Sequence, residues 1–129
     1  MRPTIHDFVG KTWAELPCWE LVVRYYAAQG ITLRSYTDYW MGSAPSETGL
    51  SEWKPVHDEP REGDILAMNL MGRAADHVGI YLGGGKFLHS TEYAGVCVEQ
   101  VERYRRRIMG TYRYKGGKHD TARHRAQSL

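Results

Sequence analysis

Cysteine is scarce in this chain: Cys18 and Cys97 are the whole supply among 129 residues. Two cysteines build no disulfide framework, and neither stands in a Cys-x-x-Cys metal or redox motif. A bridge between them would consume the thiol best placed for chemistry, so both are read as thiols. No apolar window approaches the roughly 20 residues of a membrane-spanning helix, and Met1–Phe8 carries no apolar signal core. The expectation is synthesis in a cytoplasm without export on a cleaved leader, and no membrane insertion. A large excess of one charge is missing as well. The formal net charge of +2 sets up no global field for nucleic acid, which is not expected as a partner. Among the six histidines the closely spaced pair His119 and His124 falls in the expected flexible tail, so neither a metal nor any other cofactor is expected. Internal repeats are absent.

What the chain does hold is core-forming material: 42% hydrophobic and 12% aromatic residues, enough for one domain with a real core. Pro17 fits a helix entrance, where a missing N–H costs nothing. From Cys18 to Gln29 the residues Leu21, Val22, Tyr25 and Ala28 recur at three- and four-residue steps, and Gly30 supplies a left-handed stop. Residues 31–62 are rich in turn formers and read as connection, with one short helix around Ser35–Met41. Strands are expected at Ile65–Asn69, His77–Leu82 and Lys86–Ser90, the last two joined across Gly83-Gly84-Gly85. Another is expected along Val96, Val98 and Val101, and a final one at Gly110–Tyr114. One helix followed by antiparallel strands is an α+β pattern. Residues 1–114 read as a single domain and 115–129 as a basic, flexible tail.

Three positions carry chemistry. Cys18 sits at a helix N-terminus, where backbone N–H groups and the positive end of the helix dipole favour a thiolate and, later, an oxyanion. Taken alone it reads more readily as a small packed residue, the commonest fate of a lone cysteine. His77 opens a strand on which His77, Gly79 and Tyr81 share one side while Val78, Ile80 and Leu82 fill the core on the other. Gly79 beside it leaves room for a neighbour or a substrate. A neutral imidazole there can take a thiol proton and return it to a leaving amine. His89 comes twelve residues later. A hairpin closed by the glycines would bring it beside His77 to orient that ring. Trp13 and Trp19 flank Cys18 and are candidate cleft walls as well as ordinary core residues. Asp76, next to the expected base, is a candidate for shaping the cleft. Cys97, between Val96 and Val98, reads as structural, and Arg103–Arg107 as a solvated charged face.

These residues resemble the NlpC family of papain-like cysteine peptidases, in particular small members associated with bacteriophage tails. The resemblance spans roughly residues 5–114. It rests on Phe8-Val-Gly-Lys-Thr-Trp13, Pro17-Cys18-Trp19-Glu20-Leu21-Val22, Arg61-Glu-Gly-Asp-Ile-Leu66, Asp76-His-Val-Gly-Ile-Tyr-Leu-Gly83 and Lys86-Phe-Leu-His89. It implies an N-terminal nucleophile helix packed on an antiparallel sheet. It also implies Cys18 as nucleophile, His77 as general base and His89 as third polar residue; Cys18 at the oxyanion site, with Trp19, Trp13 and Asp76 around the cleft, remains the reading from their positions in the chain. The implied reaction is hydrolysis of amide bonds in peptidoglycan stem peptides, often between D-glutamate and the diamino acid. The implied setting is the distal tip of a phage tail, assembled in the host cytoplasm among tail-tip or hub proteins and aiding wall penetration during DNA delivery. Two positions depart from the family pattern: Pro17 stands where an aspartate is usual, and Glu20 where a small residue is common. They motivate an alternative, a tail-tip subunit that keeps the fold with weak or no turnover.

Overall fold

The sequence signal at Pro17 becomes the start of the main helix. The computed structural model describes residues 5–42, 44–70 and 77–116. In it Pro17 caps helix α1 (Cys18–Ala27) from an extended conformation, φ −63° and ψ 168°, with no side chain closing the helix start. The apolar stripe is realised as Leu21, Val22, Tyr25 and Tyr26, all buried. The helix stops at Ala27 rather than Gln29, and a turn carries the chain to Gly30 at φ +84°. The reason is local: the N–H groups of Gly30 and Ile31 fold back onto the carbonyls of Ala27 and Tyr26, closing the C-terminus two residues early.

Residues 31–62 hold more structure than turn formers suggested. Helix α2 (Tyr36–Tyr39) runs into β1 (Trp40–Met41), which pairs with β2 (Ala44–Pro45). Helix α3 (Glu47–Glu52) follows, its start capped by the Ser46 hydroxyl accepting from the Gly49 N–H at 3.0 Å. Strand β3 (Trp53–Pro55) then joins the main sheet.

That sheet contains β4 (Ile65–Met68), β5 (His77–Gly83), β6 (Lys86–Thr91), β7 (Gly95–Gln100) and β8 (Ile108–Tyr114). Its six strands lie in the order β3-β8-β4-β5-β6-β7, every pair antiparallel. The expected hairpin is present. Gly83 pairs with Lys86 across Gly84 and Gly85, at φ +61° and +77°. Positive φ at both central positions suits the turn whose twist matches the flanking strands, and glycine adopts it without steric cost.

Both faces of the sheet are covered. Val78, Ile80 and Leu88 pack with the α1 stripe in one cluster, extended by Tyr39, Trp40 and Trp53. Each such fully buried apolar side chain stabilises the fold by about 1.5–3 kcal/mol relative to exposure. On the other face Leu66, Met68 and Phe87 pack beneath Val101, Tyr104 and Ile108. Here the expected strand along Val101 is corrected. Val101 opens a 3-10 helix, Val101–Arg107, that folds over this face. Its arginines are exposed, as expected of a solvated face, and Arg105 pairs with Glu102 at 2.7 Å. No helix among the described residues is long and apolar enough to cross a membrane. The observed helix-on-antiparallel-sheet architecture is the α+β arrangement expected.

Candidate active site

Antiparallel register assembles the site. Ile80 lies opposite Leu88, so continuing the pairing puts His89 opposite Gly79 and diagonal to His77 on the same face. Diagonal neighbours are within reach of ring side chains. The His77 Nε2 and His89 Nδ1 atoms are 2.8 Å apart, both side chains are buried, and the rings meet edge to face at 5.0 Å. The neighbourhood expected from a closed hairpin is therefore present. The room beside Gly79 is taken by protein: a Cβ there would lie 2.8 Å from Phe87 Cδ2 and 3.0 Å from Met68 Cε.

The next strand adds residues that the sequence reading left out. His89 pairs with Cys97 across β6 and β7, which brings Glu99 to the same face. Glu99 Oε2 lies 2.7 Å from His89 Nε2 and accepts a hydrogen bond from the Tyr104 hydroxyl at 2.8 Å. The Cys97 thiol approaches the same oxygen at 3.8 Å. Tyr104 descends from the 3-10 helix and stacks edge to face on both Phe87 and His89. Cys97 thus belongs to the histidine network instead of being a merely structural filler between valines. The signal was present in the sequence: if Val96 and Val98 face the core, Cys97 and Glu99 must face the other side.

The electrostatics follow from burial and bonding. Burial pushes the His89 imidazole below its ordinary value, outweighing the pull of Glu99, so the ring is neutral near pH 7. The His89–Glu99 contact is accordingly a hydrogen bond from a neutral ring rather than a salt bridge. Burial by itself would raise Glu99, but hydrogen bonds from His89 and Tyr104, with the Cys97 thiol, together hold it below the usual carboxylate range. Burial and the adjacent carboxylate raise Cys97, and the same pair of causes pushes Tyr104 up to about 12.

Cys18, first residue of α1, lines a cleft of about 610 Å³ together with His77, Glu99 and Tyr104. Trp13 and Tyr93, both exposed, stand at its walls. Neither cysteine is in a disulfide. A larger groove of about 860 Å³, lined by His57, Asp58 and Arg105 among others, contains none of Cys18, His77 and His89. Trp19 is the correction among the expected walls. Its indole N–H donates to the Arg34 carbonyl at 3.0 Å and its ring packs on Tyr36 and Tyr39, which turns it into the aromatic core and away from the cleft. Asp76 lies outside the described residues. Glu20, one of the two departures from the family pattern, is exposed and lies 3.9 Å from Arg24 one helical turn on. Pro17, the other, leaves the helix start without a carboxylate cap.

His89, Cys97 and Glu99 also offer ligand atoms within 4.8 Å of one another. To hold a metal ion, His89 and Glu99 would have to surrender the 2.7 Å hydrogen bond that they share.

A helix-borne cysteine sharing a cleft with His77, whose ring is bonded to the buried His89 on an antiparallel sheet, defines a papain-like α+β protein. The chain belongs to the NlpC/P60 family, whose model matches residues 4–114. It is 33% identical over 81 residues to the tail tip assembly protein K of Escherichia phage N15, a match covering 56% of this chain and 33% of that protein. Its fold is similar to that of an NlpC/P60 family protein from Bacillus cereus, with TM-score 0.61, 20% identity, and coverage of 90% of this chain and 42% of the other. It is also similar to a lipoprotein-like NLP/P60 family protein from Staphylococcus aureus, with TM-score 0.55, 20% identity, and coverage of 78% and 32%. The chain therefore spans about a third to two fifths of the length of each of these proteins.

Proposed function

We propose that this protein is a cysteine peptidase that hydrolyses amide bonds in peptidoglycan stem peptides, as a component of a bacteriophage tail tip. The observation that carries the reading is the hydrogen-bonded row Glu99–His89–His77, which ends at the cleft lined by Cys18. Family membership supports the reaction class, and the likeness to a phage tail tip assembly protein supports the setting. In the proposed cycle His77 takes the Cys18 proton and the sulfur attacks the peptide carbonyl. N–H groups in the first turn of α1 stabilise the oxyanion. The imidazolium returns its proton to the leaving amine, leaving a thioester on Cys18. Water, deprotonated by His77, then releases the acid and restores the thiol. Residues 1–114 would form the peptidase unit; of the basic segment 115–129, residues 117–129 lie outside the described residues.

The test is incubation of purified protein and its Cys18→Ala variant with purified peptidoglycan, with released fragments weighed by mass spectrometry. Peptide release by the wild type alone supports the reading, and the masses identify the bond cut. No release from several wall types, with both proteins folded, replaces it with the tail-tip subunit that has lost turnover.

A further inference from the structure

Outside the thiol and the two histidines the site contains a carboxylate to which no chemistry has been given. Glu99 Oε2 collects three donors from three directions: His89 on β6, Cys97 on β7 and Tyr104 on the 3-10 helix. The Glu99 side chain is 25% exposed and that of His89 is fully buried. A carboxylate accepts hydrogen bonds and, when ionised, cannot donate one. That asymmetry can be followed through the row of rings.

An ionised Glu99 requires a proton on His89 Nε2, since that nitrogen lies 2.7 Å from its oxygen. A neutral imidazole carries one N–H, so His89 Nδ1 must be an acceptor. The atom 2.8 Å from it, His77 Nε2, must then carry a proton and donate it. When His77 is neutral, the same rule leaves its lone pair on its other nitrogen, Nδ1. With Glu99 ionised and both rings neutral, each step follows from the one before.

We propose that Glu99 is the positioning residue of this site, fixing the tautomers of both histidines so that His77 Nδ1 is the base for the Cys18 thiol. The inference rests on the peptidase reading for its purpose, and on hydrogen-bond geometry with an ionised carboxylate and neutral rings for its content. In the reaction the thiol proton moves from sulfur to His77 Nδ1, making an imidazolium with both nitrogens protonated. Its Nε2–H stays donated to His89, and the Glu99 charge, one ring further on, stabilises the cation. The proton leaves again to the amine of the cleaved bond, so the row is unchanged after each cycle. Tyr104 and Cys97 keep the carboxylate ionised and fixed in direction. Replacing Glu99 by glutamine offers His89 Nε2 an N–H donor in place of an obligatory acceptor. Both tautomers can then reverse, putting a proton on His77 Nδ1 where the base should be.

The experiment is long-range proton–nitrogen NMR of the imidazoles in the full chain near pH 7, for the wild type, Glu99→Gln and Glu99→Asp. Alongside it, the rate of Cys18 alkylation by iodoacetamide is followed by peptide mapping. Neither readout needs a substrate. The wild type is expected to carry its protons on Nε2 of both His77 and His89. Glu99→Gln should shift both rings toward the Nδ1–H form and slow Cys18 alkylation by about 10- to 100-fold, the scale on which carboxylate partners of metal-bound histidines act. Glu99→Asp should restore part of the wild-type tautomer population. A wild-type His89 protonated on Nδ1 overturns the inference without any variant. So does a folded Glu99→Gln whose ring shifts and alkylation rate match the wild type. If the tautomers behave as stated and no wall peptide is cut, the peptidase reading alone has failed. If wall peptide is cut and the tautomers ignore Glu99, this inference alone has failed.

Discussion

His77 and His89 are joined nitrogen to nitrogen at 2.8 Å although they stand on different strands and twelve residues apart. That join fixes both rings against rotation and directs the remaining nitrogen of each outward, His89 Nε2 to Glu99 and His77 Nδ1 away from His89. The pair acts as one unit, and so should its partners.

Residues that act as a unit lose function together. Cys18→Ala and His77→Ala should each lower peptidase turnover by on the order of 10³-fold or more, and the double variant should be no worse than the poorer single one. Turnover of a wall-peptide substrate by the three variants measures this. Losses that multiply would show that the two groups work independently.

Acid should weaken the fold through this network. His89 and Glu99 both have folded pKa values below their unfolded ones, near 6.5 and 4.5. The unfolded chain therefore binds their protons first, and stability present at neutral pH is lost as pH falls. The loss begins below about 6.5 for His89, and Glu99 adds to it below about 4.5. Urea midpoints between pH 7 and 4 should fall monotonically. The drop between pH 6.5 and 5 should be smaller in His89→Asn, which has no imidazole to protonate.

Gly79 permits the close packing beneath the histidines. A methyl group there meets Phe87 Cδ2 at 2.8 Å, Met68 Cε at 3.0 Å and the Leu88 carbonyl at 3.2 Å. The side chains can shift more readily than the β6 backbone. Gly79→Ala should cost about 1–3 kcal/mol by chemical denaturation, the usual range for overpacking. An unchanged midpoint would show that the strand pair yields more easily than its contacts imply.

Tyr104→Phe removes one donor from Glu99 while keeping the ring against Phe87 and His89. At this partly exposed position the stability loss should be about 1 kcal/mol. Turnover should fall less than in Glu99→Gln, because the carboxylate still accepts from His89. A larger kinetic effect in Tyr104→Phe than in Glu99→Gln would shift the positioning role to the tyrosine.

Much of this was legible in the residues. The α1 stripe, the alternation of β5 and the glycine turn depend on neighbours close in sequence, and they led directly to the His77–His89 pairing. Glu99 and Tyr104 were missed because their places depend on longer connections. The β7 register brings Glu99 to the face of His89, and the 3-10 helix turns Tyr104 back over it. Within Arg103–Arg107 the charged residues masked the one aromatic that points inward. Trp19 was misplaced for the opposite reason. Adjacency to Cys18 suggested a shared cleft, whereas successive helical residues diverge by about 100° and Trp19 follows its own face into the aromatic core. Strand β3 escaped because it is short and ends in Pro55, which suits a sheet edge rather than its interior.

The most direct measurement is stoichiometric. Purified protein is titrated with iodoacetamide near neutral pH, each sample is peptide-mapped, and its residual release of wall peptides is assayed. Loss of release should follow modification of Cys18 one for one, with Cys97 still unmodified when activity reaches zero. Full modification of Cys18 with wall digestion intact would contradict the assignment of the nucleophile.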